Sequence, residues 1–260
     1  SRVFGIELAS SGRLGQLHTV YAQIAPWGDA LMRRDWLPSQ PEPPKAELDW
    51  DAWLGPCPWR PYNVAYVQGE WRNHYDFHTS CIGEWGAHTI MQVQAGINAR
   101  ETAAITYEYV PAPTGDGLVA HYANGVKLIL SLNQEFWGGV SGQRFDGTDG
   151  WIANSGMDHS MSVASSPALL NEIDKVLDEY TARTGRPLNH NRDFLDCVKS
   201  RRQTVAYPEA MHRAMTTVHA ANICMWLQRN LTYDPVQEEF VNDAEANALR
   251  ARVMRAPWTA

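Results

Sequence analysis

The sequence lacks the motifs that identify most nucleotide-binding proteins. No Gly-x-Gly-x-x-Gly run follows a strand pattern and opens a helix, and no phosphate-binding P-loop is present. The four cysteines form no Cys-x-x-Cys pair and have no metal-ligand spacing. No apolar run approaches the roughly 18 residues that a membrane span needs. The sequence therefore offers no cradle for a dinucleotide, and we expect no membrane partner.

Positive charge is also scarce. The 260 residues include 22 Lys and Arg against 29 Asp and Glu, which gives a formal net charge of -7. Nucleic acids and anionic membranes attract basic patches, so we expect no nucleic-acid partner. The composition is typical of a soluble protein, located in the cytoplasm or exported to the periplasm by an N-terminal signal not present here. Because Ser1 opens directly into a helical pattern, we expect further sequence upstream.

Hydrophobic periodicity separates helical segments from strands. Apolar residues recur at helical spacing in five segments, which we predict to be helices: residues 1–11, 81–97, 167–184, 191–200 and 208–229. Apolar residues alternate in four others, which we predict to be strands: residues 16–27, 102–110, 118–133 and 144–153. Asn124-Gly125 predicts a two-residue hairpin turn. These patterns predict an α+β fold with a central antiparallel sheet.

Residues 37–70 form an insert rich in proline and tryptophan. Proline removes a backbone donor and fixes the backbone, so this insert cannot be one regular element throughout. A long ordered loop of this kind is usually functional. Its aromatic rings suit either sugar rings or a buried core, and the sequence favours neither.

The stretch HYDFHTSCIGEWGAHT, residues 74–89, crowds titratable groups among apolar side chains. Glu84 and His88 are four residues apart on a predicted helix and therefore share one face. Histidine titrates near neutral pH, so His88 can accept a proton from a hydroxyl and return it, with Glu84 as its carboxylate partner. The alternative is an exposed helix pair worth about 0.2–0.5 kcal/mol.

Two further histidines allow a metal site. His74, His78, Glu84 and His88 could together bind a divalent metal, since zinc and manganese accept imidazole together with carboxylate. Such a metal would polarise a carbonyl and acidify a hydroxyl without any nicotinamide. The alternative is that His74 and His78 only form hydrogen bonds to sugar hydroxyls or to the backbone. Both interpretations stay open at this point.

Polar and aromatic residues near this centre are candidate substrate-binding groups. Arginine forks and amides suit hydroxyls and carboxylates, and flat aromatic faces suit sugar rings. The candidates are Arg60, Tyr62, Asn63, Arg72, Tyr75, Asp76, His78, Trp85 and Lys127. Lys127 is equally well explained as an ordinary lysine on an edge strand.

Six motifs along the chain form a recognisable set: DWDAWLGPCPWRPYN (49–63), WRNHYDF (71–77), GEWGAH (83–88), FDGTDGWI (145–152), FLDCVKSRR (194–202) and RAPW (255–258). The set resembles the C-terminal, substrate-binding domain of the Gfo/Idh/MocA oxidoreductases, of the bacterial type. GEWGAH is similar to that family's Gly-Asp-x-Gly-x-His motif, although Glu84 stands where an aspartate is usual. Met91 stands where a second aspartate often follows the histidine. The resemblance covers essentially all 260 residues.

The resemblance implies a single domain over residues 1–260. It implies a large, mostly antiparallel open sheet with helices on one face, and a homo-oligomer (dimer or tetramer) through the other face. It also implies NAD(P)-dependent oxidation or reduction of a carbohydrate or polyol hydroxyl, which requires an N-terminal Rossmann domain that this sequence lacks. Two alternatives stay open. One is an NAD-independent lyase, hydrolase or isomerase of sugars or keto-sugars, and the other is a non-catalytic sugar-binding or scaffold protein.

Overall fold

The segments with alternating apolar residues fold into the strands of one sheet. The computed structural model describes residues 2–24, 31–111, 117–131, 142–154 and 162–258. Within them the strands are β1 (Leu17–Gln23), β2 (Thr106–Val110), β3 (Gly117–His121), β4 (Lys127–Ser131), β5 (Gln143–Gly147), β6 (Gly150–Asn154), β7 (Ser162–Ala164), β8 (Leu231–Asp234) and β9 (Glu239–Phe240). Their order across the sheet is β7-β6-β5-β1-β4-β3-β2-β8-β9. β1 pairs with β4 in parallel, and the other described neighbours are antiparallel.

The helical segments cover one face of this sheet. The helices of the described residues are α1 (Arg2–Ser10), α2 (Trp50–Leu54), α3 (Val64–Val67), α4 (Ser80–Gly96), α5 (Pro167–Leu170), α6 (Ile173–Thr184), α7 (His190–Ser200), α8 (Pro208–Leu227) and α9 (Ala244–Ala248). A short 3₁₀ helix spans Glu70–Asn73. Among these residues, no helix combines the length and the apolar character that crossing a membrane requires.

The side chains on one face of the sheet form the main core together with three helices. Val20, Leu128 and Phe145 are fully buried on this face, and α1, α4 and α8 pack against its strands. Side chains alternate between faces along a strand, so their neighbours Ile129 and Arg144 point to the other face and are only half-buried. The predicted α+β fold, with a large, mostly antiparallel open sheet and helices on one face, is confirmed.

The turn at Asn124-Gly125 joins β3 to β4 as predicted, but it is not a two-residue turn. The backbone N–H of Tyr122 donates to the carbonyl of Val126 at 3.0 Å, which leaves three residues in the loop. Gly125 has a φ of 86°, whereas Asn124 is not among the residues with positive φ. The Asn124 side chain instead accepts from the Val126 N–H and donates to the carbonyl of Ile97. The side chain is therefore used to anchor the hairpin to the end of α4.

The predicted element boundaries shift by a few residues in other places. The predicted helix 167–184 divides into α5 and α6, with Asn171 and Glu172 between them. The predicted strand 102–110 becomes regular only at Thr106. The ends of two predicted strands, residues 25–27 and 132–133, lie outside the described residues. Element types were thus predictable from periodicity, and their boundaries less so.

The proline- and tryptophan-rich insert has a small core of its own. Trp50, Leu54, Tyr62 and Tyr66 are buried together, separately from the main core. The ring of Trp50 stacks on that of Trp53 at 4.8 Å between centroids and meets the edge of Tyr62 at 5.2 Å. Short helices and extended stretches alternate here, as expected for a segment interrupted by prolines. Most of its aromatic area is used for packing.

His74 lies at the inner edge of this insert and is 1% exposed. Neither nitrogen of its ring has a hydrogen-bond partner among the described residues. Burial lowers the pKa of His74, and the nearby guanidinium groups of Arg33 and Arg60 lower it further. Asp35 and Glu70 oppose this shift more weakly. His74 is therefore neutral in the folded protein at pH 7.

We predict that Gly96→Ala destabilises the fold by about 1–3 kcal/mol, the usual cost of overpacking a core. A Cβ atom at Gly96 would lie 2.3 Å from the ring of Phe145, which is fully buried and cannot move aside. This clash outweighs the better helix propensity of alanine, about 1 kcal/mol. Urea unfolding measures the difference. Gly117→Ala is the control, because its Cβ would approach only the carbonyl of Leu130 at 4.0 Å.

We predict that His74 makes the fold sensitive to acid. A histidine whose folded pKa is depressed contributes stability above its unfolded pKa of about 6.5. That contribution is lost as the pH falls from there through the folded pKa. The free energy of unfolding should therefore fall less between pH 7 and pH 5 in His74→Phe than in the parent protein. His190→Gln, at an exposed histidine, should leave the pH dependence unchanged. Identical slopes in all three proteins would show that His74 does not titrate on unfolding.

Candidate functional site

Helix α4 carries the two residues of the predicted proton-transfer pair. Its buried face includes Gly83, Gly86, Ile90 and Val93, at the spacing of one side of a helix. A Cβ atom at Gly86 would lie 2.9 Å from a methyl group of Val218 on α8, so the two helices approach closely there. The glycines of GEWGAH therefore place α4 against α8 and turn the polar residues of the motif away from the core.

The first turn of α4 is held in an unusual conformation. Ser80 has a φ of 66° and is fully buried. This left-handed conformation costs about 1–3 kcal/mol for a residue other than glycine. The Ser80 hydroxyl donates to Oδ1 of Asn222 at 2.5 Å, and Nδ2 of Asn222 donates to the carbonyl of Thr79 at 2.8 Å. A buried amide on α8 thus stabilises the strained start of α4.

Glu84 meets two side chains from the segment that precedes α4. Its Oε2 lies 3.4 Å from Nε2 of His78, and its Oε1 lies 3.8 Å from Nε of Arg72. The side chain of His78 is 10% exposed, that of Glu84 31% and that of Arg72 46%. The ring of Trp71 packs edge-on against His78, with 5.2 Å between centroids. The structure therefore brings together three predicted site residues, Arg72, His78 and Glu84.

The geometry of His78 determines which of its nitrogens can take a proton. Its Nδ1 lies 3.0 Å from the carbonyl oxygen of Arg72. Because a carbonyl only accepts, Nδ1 carries the hydrogen, and Nε2 faces the carboxylate of Glu84. Burial lowers the pKa of His78, while Glu84 acts in the opposite direction. His78 is thus neutral at pH 7 and would gain its proton on the side of Glu84.

His88 lies one helical turn beyond Glu84 and is exposed. Its ring lies 5.6 Å from that of Trp85, which is partly buried. The spacing puts His88 on the same side of α4 as Glu84, but no described hydrogen bond joins them. Neither Glu84 nor His88 lines any of the best-defined cavities of the described residues, which have volumes of 300 to 340 Å³. His88 lies on an exposed surface of α4, with the partly buried Glu84 one turn before it.

Tyr75, a predicted site residue, lies against two arginine side chains that the sequence did not predict as site residues. The guanidinium of Arg34 lies 4.0 Å from the centroid of its ring, and that of Arg252 lies 4.8 Å from it. The ring of Trp226 meets Tyr75 edge-on at 5.1 Å. Arg252 also donates to the carbonyl of His78. Arg34 and Arg252 are remote from Tyr75 in sequence, and no local pattern identifies them.

Four other predicted substrate-binding residues are used inside the insert. Arg60 is buried beside the rings of Tyr66 and Phe77 and forms an ion pair with Asp76. Tyr62 belongs to the insert core, and Asn63 caps α3 by accepting from the Ala65 N–H at 2.9 Å. The structure does not bring these four residues to Glu84 and His88. They stabilise the insert, and the segment that follows it directly in the chain carries Arg72 and Tyr75.

The four-residue metal set does not assemble. His74 is buried against the rings of Tyr66 and Phe77. Over the described ranges, which include all four predicted ligands, no group of three or more His, Cys, Asp or Glu side chains is placed to hold a metal ion. The ring of His74 faces Tyr66 and Phe77, whereas that of His78 faces Trp71 and Glu84. Lys127 lies on the opposite side of the sheet from α4, because its neighbour Leu128 faces the core.

The described residues lack the glycine turn between a strand and a helix that usually binds a dinucleotide. A dinucleotide is usually bound where a glycine turn joins a strand to the N-terminus of a helix. The sequence contains no such motif, and α4 follows the insert instead of a strand.

Comparison with solved structures finds several distantly similar proteins. One is the aldose-aldose oxidoreductase from Caulobacter crescentus complexed with glycerol, at 10% identity and a TM-score of 0.47, covering 89% of this chain and 60% of that one. Another is the WlbA dehydrogenase from Bordetella pertussis in complex with NADH and UDP-GlcNAcA, at 9% identity and a TM-score of 0.49, again covering 89% and 60%. This chain therefore spans about 60% of the length of these proteins. No curated protein sequence matches it.

Comparison with protein families gives a match over most of the chain. Residues 26–260 match the family described as "Oxidoreductase family, C-terminal alpha/beta domain", of the Gfo/Idh/MocA type. The match includes the insert, α4 with its GEWGAH motif, and most of the sheet. The chain belongs to the Gfo/Idh/MocA oxidoreductase family, as its C-terminal α/β domain.

Proposed function

We propose that this chain is the substrate-binding half of an NAD(P)-dependent oxidoreductase that acts on a hydroxyl group of a carbohydrate or polyol. The cofactor would be held by a Rossmann domain that this sequence does not contain. The observation that carries the proposal is the position of His88, exposed on α4 one turn after the Glu84 carboxylate, which lies within 4 Å of Arg72 and His78. Family membership supports the reaction class.

In this proposal His88 is the general base. Its exposed imidazole would accept the proton of the substrate hydroxyl as that carbon is oxidised, and would return it in the reverse direction. The open surface around His88 fits this role, because a second domain must cover the site to exclude water during the reaction. If this chain already enclosed His88, the second domain could not cover the site.

Glu84 would bind a neighbouring substrate hydroxyl and stabilise positive charge on His88. Its carboxylate lies 3.8 Å from Nε of Arg72 and 3.4 Å from Nε2 of His78, and Oε2 has no hydrogen-bond partner within the described residues, so a substrate hydroxyl could donate to it. Trp85, whose ring lies beside His88, would offer an apolar face to the carbon side of a sugar ring. Tyr75 and Arg72 would line the approach to this surface.

We predict that His88→Ala lowers the rate of NAD(P) reduction by about 10²–10⁴-fold, the usual contribution of a general base. The assay uses the full-length protein with NAD and NADP against a panel of aldoses, polyols and sugar acids. Glu84→Gln keeps the shape of the side chain and should cost less. Stability should change by less than about 0.5 kcal/mol in His88→Ala, because the side chain is exposed.

His190→Ala is the matched control, since His190 is an exposed helical histidine remote from α4 in sequence. An unchanged rate in His88→Ala, with activity present in the parent protein, would exclude His88 as the base. A rate lost equally in His190→Ala would indicate a general effect on folding. Activity without NAD or NADP would favour a lyase, hydrolase or isomerase.

We also propose that the face of the sheet opposite the helices forms a homo-oligomer contact. Tyr21, Val119 and Ile129 lie next to one another in register on this face and are only half-buried. Apolar side chains that are contiguous on a surface commonly mark an interaction site. A closed, symmetric contact between two copies would bury this row on both sides.

We predict that the parent protein is a dimer or tetramer by light scattering and that Ile129→Asp shifts it towards the monomer. A carboxylate in the middle of an apolar contact would lose its hydration without gaining a partner. Val236→Asp is the control, because Val236 is 82% exposed in the turn between β8 and β9. A monomeric parent protein at micromolar concentration would refute this contact.

A further inference from the structure

A cavity lies beside the segment that carries His78 and is separate from Glu84 and His88. It has a volume of about 300 Å³ and lies between α8, the β8–β9 hairpin and residues 249–252. Its floor is apolar and aromatic and includes Ile223, Trp226 and Phe240. Small-molecule sites are concave, mostly apolar and about 300–1,000 Å³ in volume, so this cavity is large enough for a small ligand.

The rim of this cavity is positively charged. Arg250 and Arg252 line it, together with the carboxylate of Glu238. The Oε1 atom of that carboxylate accepts from Arg213 at 2.8 Å and lies 2.7 Å from Nε2 of His212. These two contacts help to hold the pKa of Glu238 below its usual value. Within the described chain Arg250 and Arg252 donate to carbonyl oxygens and form no ion pair within 4.0 Å, although Arg250 is close enough to Glu238 to help lower the pKa of that carboxyl. Arg252 is therefore the stronger candidate to receive an anion.

Arg252 is held in position before any ligand arrives. Its Nη2 donates to the carbonyl of His78, and its guanidinium stacks over the ring of Tyr75. Tyr75 in turn contacts the edge of Trp226, which forms part of the cavity floor. The remaining N–H groups of a fixed, planar guanidinium match the two oxygens of a carboxylate. A positioned donor binds with less loss of side-chain entropy than a mobile one.

We infer that this cavity binds a small carboxylic acid with a flat, apolar body. The carboxylate would contact Arg252 and Arg250, and the body would lie on Trp226 and Phe240. The positive charges of Arg252 and Arg250 favour the acid over a neutral molecule of the same shape. The apolar side chains that line the cavity favour an apolar body, because hydroxyl groups placed against them would lose hydrogen bonds to water. Neither Glu84 nor His88 lines the cavity, so binding of the acid can be measured without the proposed reaction, although Arg252 also contacts Tyr75 of the candidate site.

The test compares 3-phenylpropionate with 3-phenylpropanamide by calorimetry on the full-length protein. The amide has nearly the same shape but no charge, so we expect it to bind at least about tenfold more weakly than the acid. Arg252→Gln should weaken the acid about tenfold and leave the amide unchanged. The control is Arg192→Gln, which removes the same charge from α7, where Arg192 pairs with Asp196. It should change neither affinity.

A second variant tests the cavity without changing its charge. Thr216 lines the cavity and is half-buried, so Thr216→Trp should fill the space and abolish binding of the acid. If Arg252→Gln fails to fold by circular dichroism, Arg250→Gln replaces it with the same expectation, because Arg250 is exposed. Equal affinities for acid and amide, no binding of the acid at millimolar concentration, or binding that survives Thr216→Trp would each overturn the inference.

Discussion

The amide of Asn222 connects the strained start of α4 to α8, and the geometry of the candidate site depends on this connection. One end of the amide accepts from Ser80 and the other donates to the Thr79 carbonyl. A buried amide satisfied at both ends is costly to displace, because every alternative leaves polar groups without partners. The place where α4 begins fixes the rotation of its first turn. That rotation decides whether Glu84 meets His78 or points elsewhere.

The position of Glu84 and His88 on one face of α4 was predictable because its signal is local. Two residues four apart on a helix share a face whatever surrounds the helix, so Glu84 and His88 needed only the helix to be placed correctly. The pairing of Glu84 with Arg72 and His78 depends on how the insert folds back, which no periodicity encodes. His74 shows the opposite failure of prediction, in which a residue predicted for the site lies elsewhere. It has the residue type of a ligand, yet it is buried in an aromatic core.

For the sheet, the strands could be predicted from the sequence, but their order across the sheet could not. Alternation identified the strands around residues 106–110, 117–131 and 143–154, because one face of each is buried. Their order across the sheet is a matter of long-range pairing, and sequence patterns give little information about it. The three-residue turn at Asn124-Gly125 shows a tertiary contact overriding a local preference, since the Asn124 side chain binds the end of α4. Arg34 and Arg252 escaped detection for the same reason.

The central position of β1 has a consequence for how the chain folds. In the described part of the sheet, β5, β6 and β7 reach the remaining strands only through β1, which pairs with β5 on one side and β4 on the other. Residues 17–23 must therefore find partners more than a hundred positions away, such as Lys127 opposite Thr19, before the sheet is continuous. Loops of that size close slowly, so proteins with such pairings fold more slowly than those built from neighbouring hairpins. The hairpins β3–β4 and β5–β6 can form early and locally, while the step that unites them waits for one seven-residue strand.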